Sequence, residues 1–199
     1  MSKLSLSVTM ELHFLRDFLD HLERDAARDW NELEARAENG EFEDIGDYES
    51  AMDYPLFRAE FGARAVYYEL SALLESQLQA LAEPAWRRLN SNPPVDPLKR
   101  KIVHDLPIGR IRELVKNEYR IDFTEVDGWH QVARLREIVN AYKHRGGMKR
   151  FKDISKNPET GGYDFRYDTS LTEAQVFLEI VPEFLENLLA AVGATSANV

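Results

Sequence analysis

Apolar residues recur three and four positions apart along most of this chain, with charged residues between them. That spacing places the apolar side chains on one face of an α-helix. The first such stretch predicts a long amphipathic helix over residues 8–38, ended by Asn39-Gly40. The same pattern predicts four further helices, over residues 56–83, 108–119, 129–144 and 172–192.

Proline, glycine and acidic residues predict the connections between these helices. Residues 41–55 are acidic and contain Gly46 and Pro55, which favours a loop with at most one helical turn. The sequence SNPPVDP predicts a break, followed by a short helix from about Asp96 to His104. Asp127 is a candidate N-cap for the helix over 129–144, which Gly146-Gly147 would end.

The last fifth of the chain holds one region in which two structures are possible. Residues 151–170 contain Asn157-Pro158 and Gly161-Gly162, a pattern that favours a small hairpin or an ordered loop. The sequence TEAQ, from Thr172, is a capping-box pattern that would open the last helix, with a kink or break at Pro182.

These elements predict an all-α fold, a helical bundle of four main helices plus one or two short ones. We expect a single domain over 1–199, with a long N-terminal helix within 1–40 and a core over 55–192. The chain has no cysteine, which excludes disulfides and thiolate metal sites. No apolar run approaches the ~20 residues of a membrane span, and no signal peptide is recognisable. We therefore expect a cytoplasmic protein without a membrane partner.

Charge is unevenly distributed along the chain. The formal net charge is −10, which opposes general binding to nucleic acid. Residues 143–156, however, hold six Lys and Arg residues against one Asp, a net charge of +5, so that the rest of the chain carries −15. Any contact with nucleic acid is expected to use this local basic segment.

The helix over 129–144 leads into the basic segment and has two distinct faces. At 100° per residue, one stripe is apolar and faces the core: it comprises Val132, Leu135, Ile138, Val139 and Tyr142. A polar strip runs along one edge of that stripe, and its residues are Arg136, Asn140, Lys143 and His144. The polar strip should therefore line a groove beside packed side chains.

The side chains of this polar strip suit a phosphodiester. Arg136 can hold phosphate oxygens, Asn140 can orient a hydroxyl or the imidazole, and histidine is suited to proton transfer near neutral pH. Since the 2′-hydroxyl of RNA can serve as an internal nucleophile, such chemistry requires neither a metal nor a cofactor. A structural role is the alternative, because Arg and His near a helix C-terminus also interact with the helix dipole and the free carbonyls.

The stretch LREIVNAYKHRGG, Leu135 to Gly147, resembles the HEPN superfamily. These proteins are helical bundles, often dimeric, and many are metal-independent ribonucleases of toxin–antitoxin, phage-defence and RNA-processing systems. Their signature is an Arg followed after four to six residues by a His, usually with a polar residue, often Asn, after the Arg. Asn140 and His144 match this signature, and residues 55–192 would form the HEPN-like core.

The position that the family fills with Arg, directly before Asn140, holds Val139, and Arg136 lies one helical turn earlier. The resemblance implies an endoribonuclease in which His144 is the general acid and base, Arg136 binds phosphate and Asn140 orients the reactants. A separate group of cations would guide RNA: Lys143, Arg145, Lys149 and Arg150.

The departure at Val139 leaves an alternative open, a non-catalytic HEPN-like module that binds RNA, a nucleotide or a protein. The resemblance also implies a homodimer in which two motif helices meet, and such a dimer could be purely structural. An antitoxin or another defence-system protein is a possible partner.

Several residues outside this helix have two interpretations. Glu69 could pair with Arg136 or His144, although a surface carboxylate is the simpler interpretation. Three aromatic residues of the second helix are interpreted mainly as core residues, with base stacking as the alternative; these are Phe57, Tyr67 and Tyr68.

Overall fold

The computed structural model describes residues 4–90, 106–150, 154–156, 162–167 and 169–196. Within these ranges the chain is an all-α bundle, as the sequence predicts. Its helices are α1 (Leu6–Glu38), α2 (Ile45–Leu89), α3 (Ile108–Tyr119), α4 (Trp129–Arg145) and α5 (Leu171–Ser196). A 3₁₀ turn (Phe123–Glu125) and two short strands, β1 (Ser155–Lys156) and β2 (Tyr163–Asp164), complete the elements. The short helix predicted from Asp96 to His104 lies outside the described residues.

Helix α1 begins and ends close to the predicted positions. The Ser5 hydroxyl accepts a hydrogen bond from the Val8 amide at 3.3 Å and so satisfies a free N–H group of the first turn. The helix ends before Asn39, and Gly40 follows with a φ of +70°. The apolar stripe faces the bundle, where Val8, Leu12, Leu19 and Leu33 are buried.

The loop predicted for residues 41–55 is wrong, because α2 begins at Ile45 and continues through Pro55 and Pro84 to Leu89. The Asp44 carboxylate accepts a hydrogen bond from the Asp47 amide at 3.0 Å, which caps the helix. Arg58 pairs with Asp29 of α1 at 2.6 Å, one turn after Pro55. This cap and this contact between helices help to offset the hydrogen bond that a proline removes.

Helix α2 is central to the bundle, since it contacts each of the other four helices. Its buried residues all lie between Gly62 and Ala85, and none of residues 45–61 is buried. At Gly62, α1 lies so close that a β-carbon would overlap the Leu22 side chain. Phe57, which the sequence places in the core, is instead 60% exposed, because it precedes the part of α2 that the other helices cover.

The connector after α3 is organised around one buried carboxylate. Asp122 accepts hydrogen bonds from Arg112 Nε at 2.7 Å, from Lys116 Nζ at 3.1 Å and from the Thr124 hydroxyl at 2.7 Å. The Arg112 hydrogen bond is the main reason why the pKa of Asp122 lies far below its ordinary value, although burial opposes that shift. Asp122 thereby joins α3 to the 3₁₀ turn, whose Phe123 ring packs against Trp129 at the start of α4.

The start of α4 also differs from the prediction. The N-cap of α4 is Gly128, with a φ of +90°, rather than Asp127, and no side chain caps this helix. A β-carbon at Gly128 would come within 3.3 Å of Phe184 on α5, so a larger side chain would press on that contact.

Helix α5 begins one residue earlier than predicted and has a different cap. The Ser170 hydroxyl accepts a hydrogen bond from the Glu173 amide at 3.1 Å, so the cap is Ser170 rather than Thr172. The helix continues through Pro182 without a break and extends to Ser196, beyond the predicted end near Val192. None of the described helices is long and apolar enough to cross a bilayer.

Within the described part of residues 151–170, the two short strands β1 and β2 pair as in a small hairpin, one of the two structures expected there. Ser155 pairs with Asp164 and Lys156 with Tyr163 in antiparallel register. Closer to the helices, the Lys149 amide donates to the Phe165 carbonyl at 2.8 Å. The base of the hairpin therefore begins directly after the last turn of α4.

Candidate nucleic-acid interface

Helix α4 has the two faces that its sequence predicts. Val132, Leu135, Ile138 and Val139 are buried, and Tyr142 is partly buried against the same core. Along the edge of this stripe, Arg136 and Asn140 are half-buried, whereas Lys143 and His144 are exposed. The helix ends at Gly146, which has a φ of +59° and is the predicted stop. The polar strip therefore follows the contact between α4 and α2 and then leaves it.

The three predicted catalytic residues share this edge but do not converge. Arg136 turns towards α2, where its Nη2 lies 3.2 Å from Glu75 Oε1. His144 is eight residues later, a distance of about 12 Å along the helix axis. The side chains of Asn140 and His144 make no hydrogen bond or ion pair within the described ranges. The exposed Glu69 makes no ion pair there either, so Glu75 is the partner that the sequence did not identify.

A cavity of about 320 Å³ opens between α2 and α4, at the end where α4 stops. We call it the aromatic cleft, and its lining residues are Phe61, Arg64, Ala65, Tyr68, Tyr142 and Gly146. The two helices are antiparallel here, because the Glu75–Arg136 pair lies at one end and the Arg64–Tyr142 contact at the other. The cleft is thus a continuation of the polar strip.

Arg64 is the central cation of the aromatic cleft. Its guanidinium carbon lies 5.0 Å from the centre of the Tyr142 ring and 5.4 Å from that of Phe61. Its Nε is buried and has no hydrogen-bond partner in the described structure. The Glu60 carboxylate forms a long ion pair with it at 4.0 Å, beyond hydrogen-bond distance. Arg64 therefore has one N–H donor that no described residue accepts.

Lys143 supplies a second cation at the rim of the cleft. Its ammonium lies 5.7 Å from the centre of the Tyr68 ring and forms no ion pair with any described carboxylate. Two cations and several rings thus surround one opening, which suits a ligand with a planar group and an anionic group.

The other predicted phosphate-binding residues differ in their surroundings. Arg150 is exposed and unpaired within the part of the chain that the structure describes. Lys149 is mostly buried and pairs with Asp164 of the hairpin. Arg145 donates from Nε to the Met148 carbonyl at 3.1 Å. Its Nη2 is buried and has no hydrogen-bond partner among the described residues. Lys143 and Arg150 are therefore the two of this group that have no ion pair with a described residue.

Gly147 explains how Tyr142 reaches the cleft. Its φ is +83°, and a β-carbon there would lie 2.6 Å from Tyr142 Cε1, inside contact distance. The Tyr142 hydroxyl donates to the Tyr167 carbonyl at 2.9 Å and so fixes the base of the hairpin to the end of α4. A glycine at 147 is therefore required both by the backbone and by the ring beside it.

Sequence reasoning did not identify Arg64 and Phe61 as site residues, and it assigned Tyr142 only to the core. Phe61, Arg64 and Tyr68 lie three and four residues apart on α2, which indicates a shared face. Nothing in that spacing indicates that α4 would bring Tyr142 and Lys143 to the same face. No family model matches the chain, and neither a curated protein nor a solved structure matches it.

Proposed function

We propose that this chain is a cytoplasmic, HEPN-like RNA-binding module whose ligand lies along the edge between α2 and α4. The observation that carries the proposal is a pair of cations at one cleft of a chain with a net charge of −10. Among the described residues, Lys143 forms no ion pair, and Arg64 has only a long ion pair with Glu60 at 4.0 Å and no hydrogen bond to its Nε. Exposed Arg150 extends this positive edge beyond the end of α4, and the exposed His144 lies beside it in the last turn of the helix. Phosphate contacts supply much of the affinity for nucleic acid, and Lys and Arg side chains are their main donors.

The position of Arg136 favours binding over catalysis within a single copy of the chain. Its guanidinium is engaged by Glu75 and is directed across the edge to α2. A phosphate held by Arg136 would therefore lie roughly two helical turns from His144. Within a single chain, Arg136 and His144 are too far apart to act on one phosphodiester, so the geometry favours a binding surface.

Removing two free cations should weaken RNA binding, which fluorescence anisotropy with a labelled single-stranded RNA can measure. We expect Lys143→Gln with Arg150→Gln to raise Kd about tenfold and to reduce the dependence of log K on log salt by about 1.4, since each single-strand phosphate contact contributes ~0.7. Double replacement of Arg87 and Arg88 by Gln is the control, because it removes the same charge about 34 Å along α2 from Arg64.

The control variant should bind within about twofold of the wild type, since a single-strand phosphate contact requires a cation at the bound strand. Absence of binding by the wild-type protein at low salt would reject the proposal. Equal losses in both double variants would also reject it, because they would indicate attraction to net charge rather than to this edge.

Metal-independent ribonuclease activity is the second candidate, and the observation that favours it is the exposed His144, whose side chain has no partner among the described residues. His144 would accept the proton of a ribose 2′-hydroxyl, whose oxygen attacks the adjacent phosphorus. The bond from phosphorus to the 5′-oxygen breaks, and that oxygen takes a proton from water and leaves as a hydroxyl. A homodimer in which two copies of α4 meet could bring the phosphate-binding group of one copy to His144 of the other. A toxin–antitoxin or phage-defence role, with a partner protein that controls the activity, would accompany such an enzyme.

Incubation of RNA with the protein in EDTA tests this second candidate. The expected products end in a 2′,3′-cyclic phosphate and a 5′-hydroxyl, and His144→Ala should reduce their formation at least about 100-fold. The variant His21→Ala is the control, since His21 is an exposed histidine on α1. Equal cleavage by wild type and His144→Ala, or cleavage by neither, would reject the enzyme and leave the binding module.

A further inference from the structure

We infer that the aromatic cleft holds one unpaired nucleotide of an RNA strand, with its base on the Phe61 ring and its phosphate between Arg64 and Lys143. This inference rests on the proposed RNA binding and adds the form of RNA that is recognised. It also assigns binding roles to residues of α2 that lie outside the stretch from Leu135 to Gly147.

Two exposed rings continue the cleft along α2. Phe57 and Phe61 are 60% and 61% exposed, and their rings are stacked with centroids 6.2 Å apart at 28°. Side chains of this size are usually covered in a soluble protein, and an exposed cluster of them marks a surface for a ligand. Because every base has a planar aromatic face, a stacked pair of exposed rings is a platform on which an unpaired base can lie.

The cations of the cleft lie where the phosphate of such a nucleotide would be. Buried polar atoms almost always have a hydrogen-bond partner, yet the buried Arg64 Nε has none in the described structure. A phosphate oxygen supplies the missing acceptor, and Lys143 adds a second positive charge at the rim. On the outer side of Phe57, a groove is lined by Asp53 and Glu60, which would repel phosphate. Because the Glu60 carboxylate also lies 4.0 Å from Arg64 Nε, we expect the phosphate to approach Arg64 from the side of Lys143 on α4, which leaves the base on the rings.

The size of the cleft limits the ligand to one nucleotide. Its volume of about 320 Å³ lies at the small end of the range for small-molecule sites, roughly 300–1,000 Å³. A base in a duplex is stacked between its two neighbours and paired along one edge, so it cannot enter such an opening. The cleft therefore selects single-stranded RNA, or a loop or bulge, over a continuous helix.

Anisotropy titrations can test this inference with three ligands: a single-stranded RNA of about 12 nucleotides, its duplex, and adenosine monophosphate as a competitor. The wild-type protein should bind the single strand at least about tenfold more tightly than the duplex. Phe61→Leu should weaken binding of the single strand about tenfold and leave duplex binding unchanged, since stacking is lost while an apolar side chain remains. Phe14→Leu on α1 is the matched control, because Phe14 is 64% exposed and lies outside the cleft; it should leave both affinities unchanged.

The possible outcomes separate this inference from the proposal on which it rests. If the wild type binds no RNA, the proposed function fails and this inference fails with it. If single strand and duplex bind equally and Phe61→Leu matches the wild type, RNA binding stands and the assignment of the cleft is wrong. If Phe61→Leu abolishes binding of adenosine monophosphate without affecting the single strand, the cleft takes a free nucleotide and the strand assignment is overturned. Circular dichroism of each variant checks that the helical content is unchanged.

Discussion

Replacing Val139 by arginine is expected to lower the free energy of unfolding by about 3–5 kcal/mol. The HEPN resemblance that we propose from the sequence would place an arginine at this position, yet Val139 is only 2% exposed and belongs to the core cluster of the bundle. A guanidinium there would have to remain unpaired among apolar side chains or push α4 away from its neighbours. The substitution should therefore disrupt the fold before it can restore a catalytic group.

Urea denaturation followed by circular dichroism measures this loss. Asn140→Arg is the matched control, because Asn140 is the next residue, is half-buried and lies on the polar edge of α4. Its arginine can extend into solvent, so we expect a change of less than about 1 kcal/mol. If Val139→Arg were as stable as the wild type and also cleaved RNA, this position would be a functional site and our assignment of it to the core would be wrong.

Asp122→Asn should cost about 2–3 kcal/mol of stability, because an amide cannot replace a carboxylate that accepts charged hydrogen bonds. Its two cationic partners, Arg112 and Lys116, are about half exposed and remain hydrated after the change, which limits the loss. Glu113→Gln is the control: Glu113 is 61% exposed in its ion pair with Arg110, and its removal should change stability by less than about 0.5 kcal/mol. Equal unfolding midpoints for the two variants would contradict the role assigned to Asp122.

The same carboxylate predicts how stability depends on pH. The pKa of Asp122 is lowered in the folded chain, so the unfolded chain binds a proton more readily than the native state does. Its contribution is fully present above the unfolded pKa of about 4 and is lost as the pH falls towards the folded value. The difference in stability between wild type and Asp122→Asn should be constant above about pH 5 and shrink below about pH 4. If the difference in stability between wild type and Asp122→Asn stayed constant down to pH 2, this mechanism would be excluded.

The helices with regular apolar spacing were predictable from sequence. In α4, one residue in every three or four is buried, so the core face and the polar strip follow from the periodicity alone. The predicted start of α2 was wrong, since local reasoning treats Pro55 and the acidic residues before it as a loop. A cap at Asp44 and a contact from α1 to Arg58 favour the helix instead. Only the contact with Arg58 depends on tertiary structure. The Asp44 cap is a local feature and could have been predicted from the sequence.

The candidate site was predictable only in part, because half of it lies on another helix. The sequence identifies Lys143 and His144 on the edge of α4, and the structure brings Arg64 and Tyr142 together from positions 78 residues apart. Which residue of α2 opposes which residue of α4 depends on the relative position of two antiparallel helices, and no local pattern specifies it. The Glu75–Arg136 pair likewise depends on the relative position of α2 and α4.

The great length of α2 makes its two ends unequal in local stability. Its 45 residues span about 67 Å, whereas the 17 residues of α4 span about 25 Å, and burial along α2 begins only at Gly62. Residues 62–85 carry the buried positions of α2 and should lose their helical structure only with the whole core. Residues 45–61 contribute no buried residue and lie against α1 through contacts such as Arg58–Asp29, so this first segment should unwind at a lower cost. Phe61 is the last residue of the segment, so one wall of the aromatic cleft lies at a boundary between two cooperative units. A strand bound in the cleft would therefore stabilise the helical state of residues 45–61.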